Sequence, residues 1–416
     1  MTSAAGSTGA AGASLTGLRV VEIGTSVAAP YGAQVLGDLG AEVIKVERHG
    51  TGDDARQWLP PEWEGRSVAF LSFNRNKKSV VLDYKTERGK RLLEELLASA
   101  DVLIQNLRPG SLAKAGFTWE RLRELNPRLI YCEMSGYGHT GPRAGQPAYD
   151  PMVQAYSGIV SITGDEDGDP ARVPVSLLDM GTGMWSVIGI YEALRRRDAT
   201  GRGSHVQPSL LQTALTWLTA PLMGVAAGGA APKRLGSGYR ATVPSGAFPT
   251  LDGHVFVQAG NNDTWHRLLE ALDAQDLRDR EGFGSNAERV RHRNTVNVAL
   301  SQHTVKFTTA EVLERLGPTL VPHSAVHTVD QTLEDEQVRA IGQIVPLEHP
   351  GIPGFRVVNL PLTFDGGYPP HQGAPPELGA DTRTVLASLG LAEREIDELF
   401  ADGIAAGRGT AEAVQH

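Results

Sequence analysis

One aspartate, Asp179, has a position in this chain that is well suited to covalent chemistry. It lies in the segment PVSLLDMGTG at residues 174–183, just before a helical pattern over residues 180–194 in which apolar side chains recur every three or four positions. At a helix start, backbone N–H groups and the helix dipole favour an ionised carboxylate. An anionic carboxylate can attack a carbonyl carbon without a general base, so the position predicts a nucleophile. A plain helix cap is the alternative interpretation.

Strand-like and helical patterns alternate before and after this segment. Strands are predicted at residues 18–23, 41–46, 79–83, 101–105, 129–133 and 201–206, with helices at 29–39, 87–98 and 119–124 among them. The alternation predicts an α/β fold with a large, Rossmann-like parallel sheet. The dinucleotide fingerprint, the Walker motif and the HExxH zinc motif are all missing, so this sheet needs another ligand.

The composition changes after a Gly/Ala-rich connector at residues 224–232, and a separate smaller α/β domain is expected there. It is predicted to contain a hairpin at 246–258 and helices at 263–272, 286–303 and 309–316. A helix over 209–222 precedes it, and a final helix over 391–402 is expected to return to the large domain. The predicted boundaries are a flexible tail at 1–14, the large domain at 15–224, the small domain at 225–330, a linker and C-terminal return at 331–404, and a flexible tail at 405–416.

Composition and charge exclude several classes of function. The formal net charge is -9 with 21% charged residues, which gives no general electrostatic case for nucleic acid or acidic membranes as partners. No run of 18 apolar residues and no signal peptide occur, so a cytoplasmic protein is expected. Cys132 is the single cysteine, which excludes an intrachain disulfide. His323 and His327 are the only i, i+4 histidine pair, and they lie in a predicted loop, so no metal site is expected.

Six segments in order resemble those of family III CoA-transferases, the group that includes formyl-CoA:oxalate, carnitine and bile-acid CoA-transferases and shares its fold with alpha-methylacyl-CoA racemases. The resemblance extends from about residue 15 to 403. The segments are GLRVVEI at 17–23, LGAEVIKVER at 39–48, NRNKKSVVLD at 74–83, DVLIQNLRPG at 101–110, AYDPMVQAYSG at 148–158, and PVSLLDMGTG at 174–183. Each segment is unspecific alone, but their joint order and spacing are specific.

The resemblance implies a role for Asp179 as the catalytic aspartate. It would attack an acyl-CoA thioester to form a mixed anhydride, and the released thiolate would convert this anhydride to an aspartyl-CoA thioester. A carboxylic acid, including dicarboxylates such as succinate, would then accept the CoA. Coenzyme A thioesters are therefore expected as substrates, with no prosthetic group and no metal. The resemblance also implies an interlocked homodimer.

The resemblance further implies the residues that contact CoA, whose phosphates need local cations in an acidic protein. These are Val27, Ala28, Arg48, Leu82, Asp83, Tyr84, Lys85, Asn106, Leu107, Arg108, Lys114, Pro147, Ala148, Tyr149 and Asp150. Trp58, Gly260 and Asn261 are implied at the acyl site. The loop at 259–265 lacks the glycine run of formyl-CoA transferases, and Val27 replaces their glutamine, which argues against oxalate as acceptor.

Two alternative functions stay open at this point. A racemase needs two bases, and related racemases have a histidine where this chain has Tyr149, a residue with an ordinary pKa near 10. A non-catalytic CoA-binding protein is the second alternative, which the intact surroundings of Asp179 disfavour. Deuterium incorporation from solvent would support the racemase, and binding without turnover would support the second alternative.

Overall fold

The structure is a computed structural model that describes residues 14–408, and the predicted tail residues 1–13 and 409–416 lie outside that range. The described chain forms two compact units. The first unit contains residues 14–157, 174–219 and 342–408, and the second contains residues 158–173 and 220–341. The predicted boundaries differ from these at one place above all, because residues 158–173, which were assigned to the large domain, belong to the second unit.

The helices and strands of the described residues are numbered here in chain order. The strands are β1 (Arg19–Ile23), β2 (Glu42–Glu47), β3 (Glu62–Trp63), β4 (Arg66–Ser67), β5 (Lys77–Leu82), β6 (Val102–Gln105), β7 (Ile130–Glu133), β8 (His205–Val206), β9 (Ser245–Pro249), β10 (His254–Gln258), β11 (His323–Ala325), β12 (Ile344–Pro346), β13 (Arg356–Val358) and β14 (Ala405–Ala406). The α-helices are α1 (Ala28–Asp38), α2 (Val68–Phe73), α3 (Glu87–Ala98), α4 (Ser111–Lys114), α5 (Trp119–Leu125), α6 (Asp150–Ser157), α7 (Ile159–Ile162), α8 (Leu177–Thr200), α9 (Leu210–Trp217), α10 (Thr219–Ala226), α11 (Asn262–Ala271), α12 (Asn286–Arg291), α13 (Arg293–Thr304), α14 (Thr309–Leu316), α15 (Val329–Glu334), α16 (Glu336–Ala340), α17 (Thr382–Ser388) and α18 (Glu393–Ala401). Short 3₁₀ turns cover Asp54–Gln57, Gln275–Leu277 and Gly317–Thr319.

The first unit is built on a seven-stranded sheet in the order β14-β5-β2-β1-β6-β7-β8. All neighbouring pairs from β5 to β8 are parallel, which confirms the predicted large and mostly parallel sheet. The strand order reverses between β1 and β6, because the chain moves outward to one edge first and then to the other. Ligands of open α/β sheets bind at such a reversal, outside the carboxyl ends of the strands.

Side chains on both faces of this sheet are buried, as expected for parallel strands covered by helices. Successive residues of β1 divide between the faces: Val20 packs with α1 and α8, whereas Val21 packs with α3. The predicted bounds of α3 are the observed ones. Its start is fixed by Thr86, whose side chain accepts the N–H of Gly89.

The edge of the sheet beyond β5 differs from the prediction of a flexible tail from residue 405. Ala405 and Ala406 form β14, which is buried and pairs antiparallel with Leu82 and Val81. Thr382 secures this strand, because its hydroxyl donates to the carbonyl of Ala406 at 2.7 Å and accepts the N–H of Val81. Pairing with β5 satisfies the backbone N–H and C=O groups of residues 405 and 406, for which the sequence pattern had predicted no secondary structure.

The second unit has its own core around the antiparallel sheet β11-β10-β9. The predicted hairpin and the helix over 309–316 are present, while the predicted helix over 286–303 is two helices that meet at His292. Trp265 and Phe283 lie in the core of this unit and pack edge to face at 6.4 Å between ring centroids. Across residues 14–408, no helix has both the length and the apolar character needed to cross a bilayer.

Candidate active site

A cavity of about 840 Å³ opens where the strand order of the first unit reverses. The segments that follow β1, β2, β5, β6 and β7 form its walls, together with the start of α8. Predicted residues that line it are Ala28, Arg48, Leu82, Asp83, Tyr84, Lys85, Asn106, Leu107, Arg108, Pro147, Ala148, Tyr149 and Asp179. The fold thus brings six separated stretches of sequence to one crevice.

Other predicted residues lie beside this cavity or elsewhere. Val27 is buried directly before α1, between two lining residues, and Lys114 ends the short helix α4, whose first residue Ser111 lines the cavity. Trp58 is not a lining residue: it is 39% exposed, and its carbonyl accepts the hydroxyl of Ser67 at 3.0 Å.

The two predicted residues of the loop after β10 lie in the second unit. Gly260 accepts a hydrogen bond from Arg289, and Asn261 caps α11 by accepting the N–H of Thr264 at 2.8 Å. Arg289 is fully buried and also donates to the carbonyl of Val243 at 2.8 Å, so a guanidinium group fixes this loop.

Asp179 occupies the first turn of α8, and glycines of its segment let the helix approach its neighbours. A Cβ atom on Gly183 would lie 2.9 Å from the carbonyl oxygen of Ala28, and one on Gly181 would lie 2.9 Å from a methyl carbon of Thr213. A larger residue at either position would push α8 away from α1 or α9. The segment therefore places Asp179 among the residues that line the cavity.

The start of α8 is capped by Asp150 rather than by Asp179. One oxygen of Asp150 accepts the N–H groups of Leu178 at 2.6 Å and of Asp179 at 3.1 Å, and the other accepts the amide of Gln154. Asp150 is buried, so these bonds compensate the loss of its hydration. The alternative interpretation of Asp179 as a plain helix cap is wrong, because this capping role belongs to another residue.

The predicted preference of Asp179 for its ionised form is also wrong. Burial, and then the negative charge of Asp150, raise the pKa of Asp179 to about 7. Both effects disfavour a second negative charge at this position, and they outweigh the favourable helix terminus. A carboxylate that is ionised only near neutral pH is more basic than an ordinary one. It is therefore a stronger nucleophile in the fraction of molecules that carry the charge.

A buried ionic network fixes two loops of the cavity and was not predicted from the sequence. Lys45 is fully buried and contacts Glu22 at 2.6 Å and Asp53 at 2.8 Å, while Lys77 contacts the other oxygen of Glu22 at 2.8 Å. Asp53 in turn accepts the backbone N–H of Ser26 at 2.8 Å. Ser26 has a left-handed backbone with φ of 71° at the cavity edge, so the network holds a conformation that a serine rarely adopts.

The two buried lysines of this network respond differently to their surroundings. Burial alone would lower the pKa of Lys45, but the carboxylates of Asp53, Glu22 and Glu47 together raise it above its ordinary value. For Lys77, burial dominates and lowers the pKa to about 8. The signal in the sequence was the charged residue in the middle of each apolar strand, at Glu22 in β1 and Lys45 in β2. Such residues are buried only when paired.

Asn106 joins the loops after β1 and β6. Its side-chain oxygen accepts the N–H of Thr25 at 2.9 Å, and its amide donates to the carbonyl of the same residue at 2.8 Å. The neighbouring loop is held by Gln105, whose oxygen accepts the N–H of Leu107 at 2.7 Å. These bonds form the walls of the cavity before any ligand binds.

No cluster of three or more histidine, cysteine or acidic residues suited to a metal ion occurs in the described chain.

The geometry defines a doubly wound α/β protein with a carboxylate in the crevice at its strand reversal. The model of "CoA-transferase family III" matches residues 15–382. A succinyl-CoA:glutarate CoA-transferase of Mus musculus is 34% identical over 94% of this chain and 90% of its own, and a succinate–glutarate CoA-transferase of Agrobacterium fabrum is 36% identical over 91% and 96%. A crystal structure of a CaiB/BaiF family protein from Brucella suis has a TM-score of 0.84 and 34% identity over 91% of this chain and 100% of that one.

The chain belongs to CoA-transferase family III, and it is a CoA-transferase. The resemblance seen in the six sequence segments is confirmed. CoA thioesters and carboxylic acids are its substrates by class.

Proposed function

We propose that this enzyme transfers CoA between dicarboxylic acids, with Asp179 as the covalent nucleophile. The observation that carries the proposal is the Asp179 carboxylate itself, which lies at the wall of the crevice with a raised pKa and is not used to cap its helix. Dicarboxylates are the proposed substrates because the mouse and Agrobacterium relatives are named for succinate and glutarate. We set aside the racemase and the non-catalytic CoA-binding protein as alternatives, because the chain is a CoA-transferase by family.

The crevice suits the other parts of CoA as well. Arg48, Lys85 and Arg108 follow β2, β5 and β6 and line the cavity, where they can bind the phosphate groups of CoA. Arg48 is held by Asp54 and by the carbonyl of Gly52 at 3.1 Å. We propose that Lys114, one residue before the lining residue Ala115, adds a further cation at the same end.

The proposed reaction forms and breaks one acyl bond at each step. The carboxylate of Asp179 attacks the thioester carbonyl of the donor, which gives a mixed anhydride and CoA thiolate. The thiolate attacks the aspartyl carbonyl, which gives an aspartyl-CoA thioester and releases the donor acid. The acceptor carboxylate then displaces the thiolate to form a second anhydride, and thiolate attack on the acceptor carbonyl yields the new acyl-CoA and free Asp179. The energy of the thioester is retained throughout, so no nucleotide is consumed.

Oxygen labelling tests this route directly. Because the acceptor attacks the aspartyl carbonyl, an ¹⁸O-labelled acceptor acid leaves one of its oxygens on Asp179 when the second anhydride is opened. Mass spectrometry of the peptide that contains Asp179 should therefore show incorporation after turnover with unlabelled succinyl-CoA. Transfer of CoA without label on this peptide would exclude the covalent mechanism.

Substitution of the nucleophile provides the second test. Asp179→Asn should lower kcat on the order of 10³-fold or more, because the amide cannot form the anhydride. Asp198→Asn is a matched control, since Asp198 is exposed near the other end of the same helix. A donor-by-acceptor screen with succinyl-CoA and acetyl-CoA against mono- and dicarboxylic acids, measured by mass spectrometry, identifies the substrates. A clear preference for monocarboxylic acids would contradict the dicarboxylate assignment.

We also propose that the enzyme is a homodimer with interlocked chains. Met184, Trp185 and Ile188 of α8 are 48%, 40% and 55% exposed, and they form an apolar surface that a second copy would cover. Analytical ultracentrifugation should give twice the chain mass. Ile188→Asp should reduce that mass if this surface is the interface, whereas a monomeric unmodified protein would contradict the proposal.

A further inference from the structure

The side chain of Ser135 is an unusual feature of the cavity wall. Ser135 follows β7, lines the cavity and is only 8% exposed, yet its hydroxyl has no hydrogen-bond partner among the described residues. Its backbone groups are both paired, since the N–H donates to Pro208 at 3.2 Å and the carbonyl accepts the N–H of Leu210 at 3.0 Å. The hydroxyl is therefore the one polar group of this residue that the protein does not satisfy.

Other buried serines of the first unit show that this is not the rule here. Ser67 donates to the carbonyl of Trp58 at 3.0 Å, Ser79 to Glu47 at 2.6 Å, and Ser186 to the carbonyl of Gly183 at 2.6 Å. An unsatisfied buried hydroxyl destabilises the folded protein, because its hydration is lost and not replaced. A group with this cost at the wall of a ligand cavity is best explained by a partner that the substrate supplies.

A short series of contacts connects Ser135 with the nucleophile. The next residue, Gly136, is so close to Ala148 that a Cβ on this glycine would lie 2.5 Å from the Ala148 side chain. Two residues later, Asp150 accepts the N–H of Asp179 at 3.1 Å. The segment 148–150 thus approaches Gly136, the residue after Ser135, at one end and Asp179 at the other. Ser135 is thus connected through this segment with the part of the cavity wall that carries Asp179.

We propose that the hydroxyl of Ser135 donates a hydrogen bond to an oxygen of the acyl group that is being transferred. This inference rests on the proposed role of Asp179 and extends it. When Asp179 attacks the thioester, the carbonyl oxygen of the acyl group gains negative charge. A donor that is already in place and has no competing protein partner stabilises this charge without reorganisation. Ser135 is therefore a catalytic residue that acts on the acyl group and leaves the nucleotide part of CoA to other groups.

Ser135→Ala tests this proposal by separating activity from stability. The variant should lose roughly 10- to 100-fold in kcat/KM for the acyl-CoA donor, because one donor to the transition state is removed. Its melting temperature should stay unchanged or rise, since a buried hydroxyl without a partner is removed. Inhibition by free CoA, which has no acyl oxygen, should be the same as for the unmodified enzyme.

Ser186→Ala is the matched control. Ser186 is also buried and its hydroxyl is bonded within α8, so this variant should lose stability and keep its kinetic constants. Unchanged kinetic constants in Ser135→Ala would overturn the proposal. If the melting temperature also fell, the hydroxyl would have a structural partner instead. Weaker inhibition by free CoA would overturn the assignment to the acyl group. If the unmodified chain transferred no CoA, the proposed function itself would fail instead.

Discussion

Two groups of buried polar side chains in the first unit differ in how completely the protein pairs them. In the ionic network, Lys45, Glu22, Asp53 and Lys77 form contacts of 2.6 to 2.8 Å with one another. At the wall of the cavity, the hydroxyl of Ser135 has no partner among the described residues, and the carboxylate of Asp179 has a pKa raised by burial and by a like charge.

The difference shows where this protein uses polar groups for its own structure and where it keeps them for a ligand. Paired groups hold the loops after β1 and β2 in place before substrate binds. Unpaired or charge-opposed groups make the folded protein less stable, which is the usual consequence of arranging a site for catalysis. Substitutions in the two groups should therefore have opposite effects on stability.

Removal of Lys45 should produce the largest loss of stability. In Lys45→Met, the carboxylates of Glu22 and Asp53 stay buried without their shared cation, which should lower the free energy of unfolding by about 3–5 kcal/mol. Urea unfolding measures this change. Lys78→Met is the matched control, because Lys78 pairs with Glu42 at 2.6 Å in a half-exposed position where ion pairs contribute less than about 1 kcal/mol. Equal losses in the free energy of unfolding would mean that the buried network contributes no more to stability than a half-exposed ion pair.

Removal of the charge next to the nucleophile should shift the pH dependence of the reaction. Since Asp179 must be ionised to attack, kcat should fall on the acid side with a midpoint near pH 7. In Asp150→Asn the midpoint should move to lower pH, while burial still keeps it above the ordinary value for an aspartate. The pH profiles of kcat for the two proteins, each scaled to its own maximum, measure the shift. Coinciding profiles would show that Asp150 does not influence this ionisation.

Removal of the charge of Asp179 should stabilise the folded protein at high pH, in contrast to the loss of stability expected for Lys45→Met, and the effect should be smaller. The folded-state pKa of Asp179 lies above that of an unfolded aspartate, so ionisation opposes folding increasingly as the pH rises from about 4 to about 7. Asp179→Asn should therefore match the unmodified protein in stability near pH 4 and exceed it at pH 8. Thermal unfolding across this pH range measures the difference. A variant that is less stable at pH 8 would contradict the proposed strain at this site.

Much of the fold could be predicted because hydrophobic periodicity and helix caps are local signals. The bounds of α3 and α14 were predicted without error, and both helices begin after a threonine that accepts an N–H from the first turn. By contrast, the grouping of residues 158–173 with the second unit depends on contacts with residues far along the chain, such as that between the side chain of Arg234 and the carbonyl of Asp165. No local pattern contains that information.

The site was predictable in its positions but not in its electrostatics. Residues after the strands were expected at one crevice, and most of them line it. The wrong direction for the ionisation of Asp179 has two causes that no local pattern shows: the burial of its carboxylate, and then the charge of Asp150, which precedes it by 29 positions and caps α8. Ser135 was missed because a serine after a strand is common, and only its lack of a partner in the folded chain distinguishes it.

The pairing of β14 with β5 affects how this protein emerges from the ribosome. The outer edge of β5 is formed by residues 77–82, whereas its partner is made more than 300 positions later, after the whole second unit. Until then, an unpaired strand edge is available to neighbouring chains, a typical route to aggregation during synthesis. Chains released before Ala405 should therefore aggregate more than chains that include β14, which pelleting of stalled translation products would measure. The last strand of the sheet thus makes completion of the large unit depend on completion of nearly the whole chain.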